Sequence, residues 1–260
     1  MCGISGFIGN KEINKKEIDK TLALMKNRGP NAKGYINFFD KKNNLRVNLL
    51  HSRLNIIDLD KRSNQPFTIG EFTIVFNGEI YNYLEIKKKL QLKGIKFHTA
   101  SDTEVLLQSY IVFGLNFFEK IEGMWSFAIW DNNKKKLILS KDRFSEKPLF
   151  VYQNETGIYF GSEIKYIKSL SKKKFKINEG HLIRYLVQGY KSLYKFNSTF
   201  FENIQDFPGA SYCSINKKLK LNFKKYWKLD YKPKQISFNT AVKKSKKIIL
   251  EQFKKKFRSD

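Results

Sequence analysis

Met1-Cys2-Gly3-Ile4-Ser5-Gly6-Phe7-Ile8-Gly9 opens the chain, and the reading of this stretch decides the fold. Residues 4–8 are a short, mostly apolar run between glycines, which is the pattern of a strand. Cys2 stands just ahead of it. Removal of Met1 would leave a thiol and a free α-amine on one residue, a nucleophile carrying its own base. An unperturbed thiol titrates near about 8.5 and an α-amine near about 7.7–8.0. At neutral pH a useful share of the amine is therefore neutral and able to take the thiol proton. The same residues also read as a plain strand start with Cys2 as a small hydrophobe.

Working outward, residues 45–51, 72–76, 124–130, 137–140, 149–152 and 158–160 read as further strands, bounded by Gly, Asn, Asp and Pro. A helix is expected from Tyr83 to Leu92, with Tyr83, Ile86 and Leu90 on one face and Gly94 placed to end it. A second begins behind Ser101 or Asp102 as cap, with Glu104 early and Leu106, Tyr110 and Phe113 along one stripe. Strands outnumber helices, and hairpin-length turns such as Asp131-Asn132-Asn133 join them. That pattern predicts an α+β layered fold rich in antiparallel sheet. The expected organisation is a main domain over 1–207, a closing hairpin and linker over 208–235, and a helix over 236–260 that repeats Val242, Ile249 and Phe253 at helical spacing. A lone amphipathic helix cannot bury its own face, so this one is expected to dock on the domain or on further protein.

The 260 residues are ample for a core. Cys2 and Cys213 make no disulfide framework, and no apolar run is long enough for a bilayer, so a cytoplasmic protein without a membrane partner is expected. The formal net charge of +26 raises a nucleic-acid reading. Lysine is spread nearly everywhere, however, from Lys15-Lys16 to Lys254-Lys255-Lys256, rather than gathered on one aromatic-interleaved face. A solvated basic surface with no specific nucleic-acid partner follows.

If Cys2 is a nucleophile it needs an oxyanion site and charges to orient a substrate. Asn77-Gly78-Glu79 ends an apolar run and could aim the Asn77 amide and the Gly78 N–H at one point, or be an ordinary Asn-Gly turn. Arg53, in His51-Ser52-Arg53-Leu54, could grip a carboxylate. Asp102 could pair with an ammonium or merely cap its helix. Arg28-Gly29-Pro30 reads as a rigid turn with a surface arginine. His51, His98 and His181 show no metal spacing, and neither common glycine-rich phosphate loop is present.

The order of Met1-Cys2-Gly3-Ile4-Ser5-Gly6, Arg28-Gly29-Pro30, Arg53-Leu54-Asn55-Ile56-Ile57-Asp58, Asn77-Gly78-Glu79-Ile80-Tyr81-Asn82, Ser101-Asp102-Thr103-Glu104, Asp142-Arg143-Phe144, Lys147-Pro148-Leu149 and Ser162-Glu163-Ile164-Lys165 resembles glutamine-hydrolysing asparagine synthetase. The resemblance covers roughly residues 1–230. It implies a class II glutamine amidotransferase domain with the four-layer αββα sandwich of N-terminal nucleophile hydrolases. It further implies Cys2 as nucleophile with its α-amine as base, Asn77 and Gly78 as oxyanion hole, and glutamine held by Arg53 at its carboxylate and by Asp102 and Glu79 at its ammonium. Leu54, Asn55, Ile56 and Ile57 would complete the substrate-binding set. No cofactor is implied for this segment, whereas ATP and Mg2+ are expected for a synthetase domain supplied in cis or in trans, and a homodimer fits the same resemblance. Alternatives are the ammonia-supplying domain of a sugar or peptide amidotransferase, and a non-catalytic basic binding module.

Three departures from the family pattern stand out. Asn31 replaces the usual Asp after Arg-Gly-Pro, which puts a salt bridge or turn cap in doubt. Ser145 stands where glycine is usual, at a cost in stability if the backbone there has positive φ. The chain also stops at Asp260, just short of the family's Ser-Gly-Gly-x-Asp-Ser pyrophosphate loop.

Overall fold

The computed structural model describes residues 1–193 and 196–257. The strands are β1 (Gly3–Gly9), β2 (Ala32–Asp40), β3 (Leu45–Arg53), β4 (Phe67–Ile69), β5 (Phe72–Ile80), β6 (Gly123–Asp131), β7 (Lys136–Lys141), β8 (Phe150–Asn154), β9 (Gly157–Gly161), β10 (Ile204–Asp206), β11 (Ser211–Ile215) and β12 (Phe223–Lys225). The helices are α1 (Lys15–Met25), α2 (Tyr83–Gln91), α3 (Asp102–Phe113), α4 (Ile164–Ser171), α5 (Glu179–Gln188) and α6 (Phe238–Lys256). Two antiparallel sheets form, ordered β10-β8-β9-β1-β3-β2 and β12-β11-β7-β6-β5-β4.

The alternation of side chains along each strand builds three apolar layers. Ile4 and Ile8 of β1, Val47 and Leu49 of β3, Val75 of β5, Ala128 and Trp130 of β6 and Leu139 of β7 meet between the sheets. The opposite face of the second sheet, with Ile74, Phe76 and Phe127, packs on α2 and α3. The opposite face of the first, with Phe7, Leu50 and Tyr159, packs on α1 and α4. The result is helix, sheet, sheet, helix: an α+β sandwich of four layers, as the sequence leads one to expect. Strands β1 and β5 lie in different sheets, β1 inside the first and β5 next to the edge strand β4 of the second.

Local sequence explains the helices flanking the site. Asn14 and Glu17 form a reciprocal capping box at the start of α1, Asn14 Oδ1 accepting from Glu17 N at 3.1 Å and Glu17 Oε2 accepting from Asn14 N at 2.9 Å. At α3 the cap is Ser101, whose Oγ accepts from Thr103 N at 3.1 Å. Glu104 works in the other direction. Its buried carboxylate accepts from His98 N, Thr99 N and the Thr99 hydroxyl, tying down the segment before the helix. Gly94 sits at φ +84 beyond the end of α2, where a left-handed residue closes a helix.

Within the expected 208–235 hairpin and linker, two antiparallel strands form. β11 pairs with β7 and β12 pairs with β11, so both extend the second sheet. Helix α6 buries none of its residues, so Val242, Ile249 and Phe253 are not covered by this domain. Residues 258–260, the last of the expected 236–260 segment, lie outside the described residues.

Candidate active site

Strand parity sets the site. In β1 the even residues Ile4 and Ile8 face the second sheet, and Cys2, two residues before Ile4, continues that side. In β3, Val47 and Leu49 face the same space, so His51 and Arg53 follow. In β5, Val75 faces back from the other sheet, and Asn77 and Glu79 continue its side. The two sheets therefore present Cys2, Arg53, Asn77 and Glu79 toward one another at one end of the sandwich.

A cavity opens there, walled by Cys2, Arg53, Leu54, Ile56, Ile57, Gly78, Glu79 and Asp102, with Ser63, Gln65, Phe76, Ser101 and Thr103 completing it. Eight of the residues named from sequence thus share one concavity. Asn55 and Asn77 are not in its walls. Asn55 N donates to Asn31 Oδ1 at 3.0 Å and its Nδ2 reaches Leu59 O at 3.5 Å, which makes it a brace of the 54–64 loop. Asn31, in place of aspartate, therefore still supplies an acceptor to that loop. Asn77 is 1% exposed, and its Nδ2 donates to Ser126 Oγ at 3.4 Å, its neighbour across β6.

The Cys2 thiol touches Leu54 on both sides of its chemistry, accepting from Leu54 N at 3.4 Å and donating to Leu54 O at 3.6 Å. Burial pushes its pKa up. The Leu54 contact, the chain-terminal amine and Arg53 pull it down, while Asp102 pushes the same way as burial. A thiol so placed is held as the neutral acid until a nearby base takes the proton.

Arg53 is 5% exposed, and its guanidinium is already at work. Nη1 donates to Asp60 O and Asn64 Oδ1, both at 2.8 Å, and Nη2 donates to Asp58 O and to Ile57 O. The arginine is the hub around which the 54–64 loop folds, and Asp58 pins that loop to the α3 end by accepting from Ala100 N at 2.7 Å. Among the described residues no partner engages Nε, so one charged N–H remains for a ligand anion. Gln65 fixes the adjacent wall, donating to Thr103 Oγ1 at 3.1 Å and accepting from Phe76 N at 2.6 Å.

Opposite the cation stand two carboxylates. Asp102 accepts from Ile80 N at 3.0 Å through Oδ2. It does not cap α3, a task Ser101 performs. Burial, helped by the like charge of Glu79, pushes the Asp102 pKa up to about 7, against the pull of the Ile80 N–H. Glu79 is also raised by burial, with Lys147 pulling it down. Two carboxyls raised by burial beside a buried arginine suit a zwitterionic ligand. Gly78 is where the backbone must approach closely: a Cβ there would stand 2.1 Å from Met124 O.

Sequence reading gives Arg28 a surface place. Instead its side chain is only 12% exposed and bridges the site to α4. Its Nε donates to Cys2 O at 2.8 Å, and Nη1 pairs with Glu163 at 3.3 Å. Lys147, quoted from sequence only as part of Lys147-Pro148-Leu149, lies against Met1. The signal for both was a cation next to a rigid Gly-Pro or Pro step, which shows the turn and not its target. His51 is fully buried with Nε2 against Phe76 O at 3.1 Å, and burial pushes its pKa down to about 3, so it is neutral. Among the described residues no group of three or more His, Cys, Asp or Glu side chains could hold a metal, and no helix is long and apolar enough to cross a membrane.

Comparison with known proteins agrees with this geometry. The glutamine amidotransferase domain family matches residues 1–227. A putative glutamine-hydrolysing asparagine synthetase of Methanocaldococcus jannaschii is 34% identical over 284 residues, covering 100% of this chain and 53% of the relative. Glutamine-hydrolysing asparagine synthetase 1 of Bacillus subtilis is 32% identical, covering 100% of this chain and 40% of the relative. The chain thus spans about half the length of the first relative and less of the second. Among solved structures, glutamine phosphoribosylpyrophosphate amidotransferase from B. subtilis superposes with a TM-score of 0.63 at 16% identity, over 87% of this chain and 49% of that one, a likeness of fold alone. From Cys2 at the head of β1 to the sheet-end cavity it opens into, the chain belongs to the glutamine amidotransferase domain family.

Proposed function

We propose that this chain hydrolyses the side-chain amide of L-glutamine and that the ammonia serves the ATP-dependent amidation of aspartate to asparagine by a synthetase domain outside it. The observation that carries the reading is the sharing of one cavity by the Cys2 thiol, the buried Arg53 cation and the Asp102 and Glu79 carboxylates. In this reading Met1 is removed and the freed α-amine takes the Cys2 proton. The thiolate attacks the glutamine Cδ, the amide leaves as ammonia, and water hydrolyses the γ-glutamyl thioester to glutamate. Arg53 Nε–H binds the α-carboxylate, and Asp102 with Glu79 binds the α-ammonium. Leu54, Ile56 and Ile57 line the aliphatic stem. The Gly78 N–H and the second N–H of Asn77 Nδ2 serve the oxyanion, a role worth about 2.7–4 kcal/mol per donor. Leu54 rather than Asn55 supplies the loop's contact to the nucleophile.

ATP and Mg2+ belong, in this reading, to the synthetase domain, as does the choice of ammonia acceptor. Residues 236–260 would be the first helix of that domain. The test uses the Met-processed chain: it releases ammonia from L-glutamine, and Cys2→Ala lowers the rate by at least about 10³-fold. Absence of release from the processed chain, or an unchanged rate in Cys2→Ala, overturns the reading.

A further inference from the structure

Two lysines are nearly sealed from solvent, and they are satisfied differently. Lys141, 3% exposed, closes on Asp206 at 2.8 Å. Lys147, 7% exposed, forms no ion pair among the described residues. The polar contact of its ammonium is the Met1 thioether at 3.6 Å. The Glu79 carboxylate attracts this ammonium without closing an ion pair on it, so its burial is only partly offset and its position calls for a reason besides stability.

The chain fixes that position firmly. The fully buried Asp142 carboxylate accepts from Phe144 N at 3.0 Å, Glu146 N at 2.9 Å and Lys147 N at 2.9 Å. It also accepts from Trp125 N of β6 at 3.2 Å, which anchors the turn to the second sheet. Pro148 restricts the backbone of Lys147 before it. From this turn the ammonium reaches the start of β1 in the other sheet. There Arg28 Nη2 lies 3.9 Å from the same Met1 sulfur, while Arg28 Nε holds Cys2 O. The Met1 side chain is thus clasped between two cations. Its loss would leave the new α-amine of Cys2 beside them.

We propose that Lys147 is a positioning residue for the Cys2 centre, its fixed positive charge keeping the processed α-amine in the neutral form that accepts the thiol proton. This rests on the reading of Cys2 as an N-terminal nucleophile. In the proton transfer the Sγ–H bond breaks and an N–H bond forms on the α-amine, and a neighbouring cation opposes any earlier protonation of that nitrogen. The other charges facing the centre divide by sign. Arg28 from the α1–β2 turn and Arg53 from β3 add to Lys147. Glu79 from β5 and Asp102 from α3 oppose it, Glu146 lies on the same turn as Lys147, and Glu163 is engaged by Arg28 and Lys165. The Met1 amine already feels this field: burial lowers its pKa first, and Arg28 and Lys147 lower it further against the opposing Cys2 charge.

The test compares Lys147→Met, which keeps the stem and removes the charge, with Lys147→Arg, which keeps the charge. At saturating glutamine, where the substrate ammonium holds Asp102 ionised, the acidic limb of kcat should move up by about half a pH unit or more in Lys147→Met. In Lys147→Arg it should stay with the wild type. A cooperative thermal melt of Lys147→Met, with a native circular-dichroism spectrum below it, establishes that the variant folds. The α-amine is also titrated directly, through the Cα chemical shift of 13C-labelled Cys2 in the processed chain, with the same upward shift expected. An unchanged limb and an unchanged amine titration in Lys147→Met overturn the inference while leaving glutamine hydrolysis standing. If the processed wild type releases no ammonia, the functional reading fails, and the direct titration alone decides the role of Lys147.

Discussion

Asp102 concentrates the site's conflict between stability and binding. With its carboxyl pushed up to about 7 by burial, the native state holds a proton that the unfolded chain, at about 3.8, has lost. Between those values the native state binds more protons, so stability falls as pH rises from about 4 to 7 and levels off above. Asp102→Asn can still accept from Ile80 N but has no charge to bury. It should match wild-type stability near pH 4 and exceed it at pH 8 by a few kcal/mol at most, measured by denaturant unfolding at the two pH values. The same variant should lose glutamine binding, and wild-type KM for glutamine should rise as pH drops below about 7, because a protonated Asp102 cannot hold an ammonium. At this scale the sequence conveys charge and spacing but not occupancy. Cys2, Arg53 and Asp102 could be chosen from their motifs. That Arg53 would already have four N–H donations inside the 54–64 loop, and that Asn77 would turn to Ser126, depends on contacts made 4 to 49 residues away.

The turn of residues 142–147 shows how an element can be legible in one respect and opaque in another. Ser145, where glycine is usual, has φ +59, the left-handed region that disfavours a Cβ. The fully buried Asp142 carboxylate over-determines the turn and compels serine into it. Ser145→Gly should therefore stabilise the fold by roughly 0.5–1 kcal/mol, the relief of left-handed strain less the added freedom of the unfolded chain, read as a shift in denaturant midpoint. Strands with continuous apolar runs, such as β5 and β6, are visible in sequence because both faces are covered. Strand β2 is not: it lies at the edge of its sheet and alternates partly buried with exposed residues, and its sequence carries no continuous apolar run to mark it. Helix α1 escapes for another reason. Ile18, Leu22 and Met25 are correctly spaced, but surrounding lysines dilute the stripe, and only the Asn14–Glu17 capping box marks its start.

For the molecule as a whole, the sandwich and its appendage are held by different means. The three apolar layers join both sheets to α1–α4, whereas α6 contributes no buried side chain. Among the described residues, α6 is tied back by the ion pair of Lys255 to Glu122 at 3.0 Å and by the Lys256 ammonium over the Tyr81 ring at 5.3 Å. Solvent-exposed contacts of these kinds are worth about 0–1 kcal/mol each. Removing residues 237–260 should therefore leave the fold intact, lowering the thermal midpoint by no more than about 4–8 °C. Glutamine hydrolysis, which draws on none of those residues, should persist. The helix does hold Val242, Ile249 and Phe253 about half exposed, at 48%, 53% and 52%, an apolar stripe that water penalises wherever it is not covered. The shortened chain should then associate less with rising concentration than the full one, a difference that sedimentation across a dilution series would read. A large drop in midpoint on truncation would show instead that α6 packs on the sandwich and carries part of its stability.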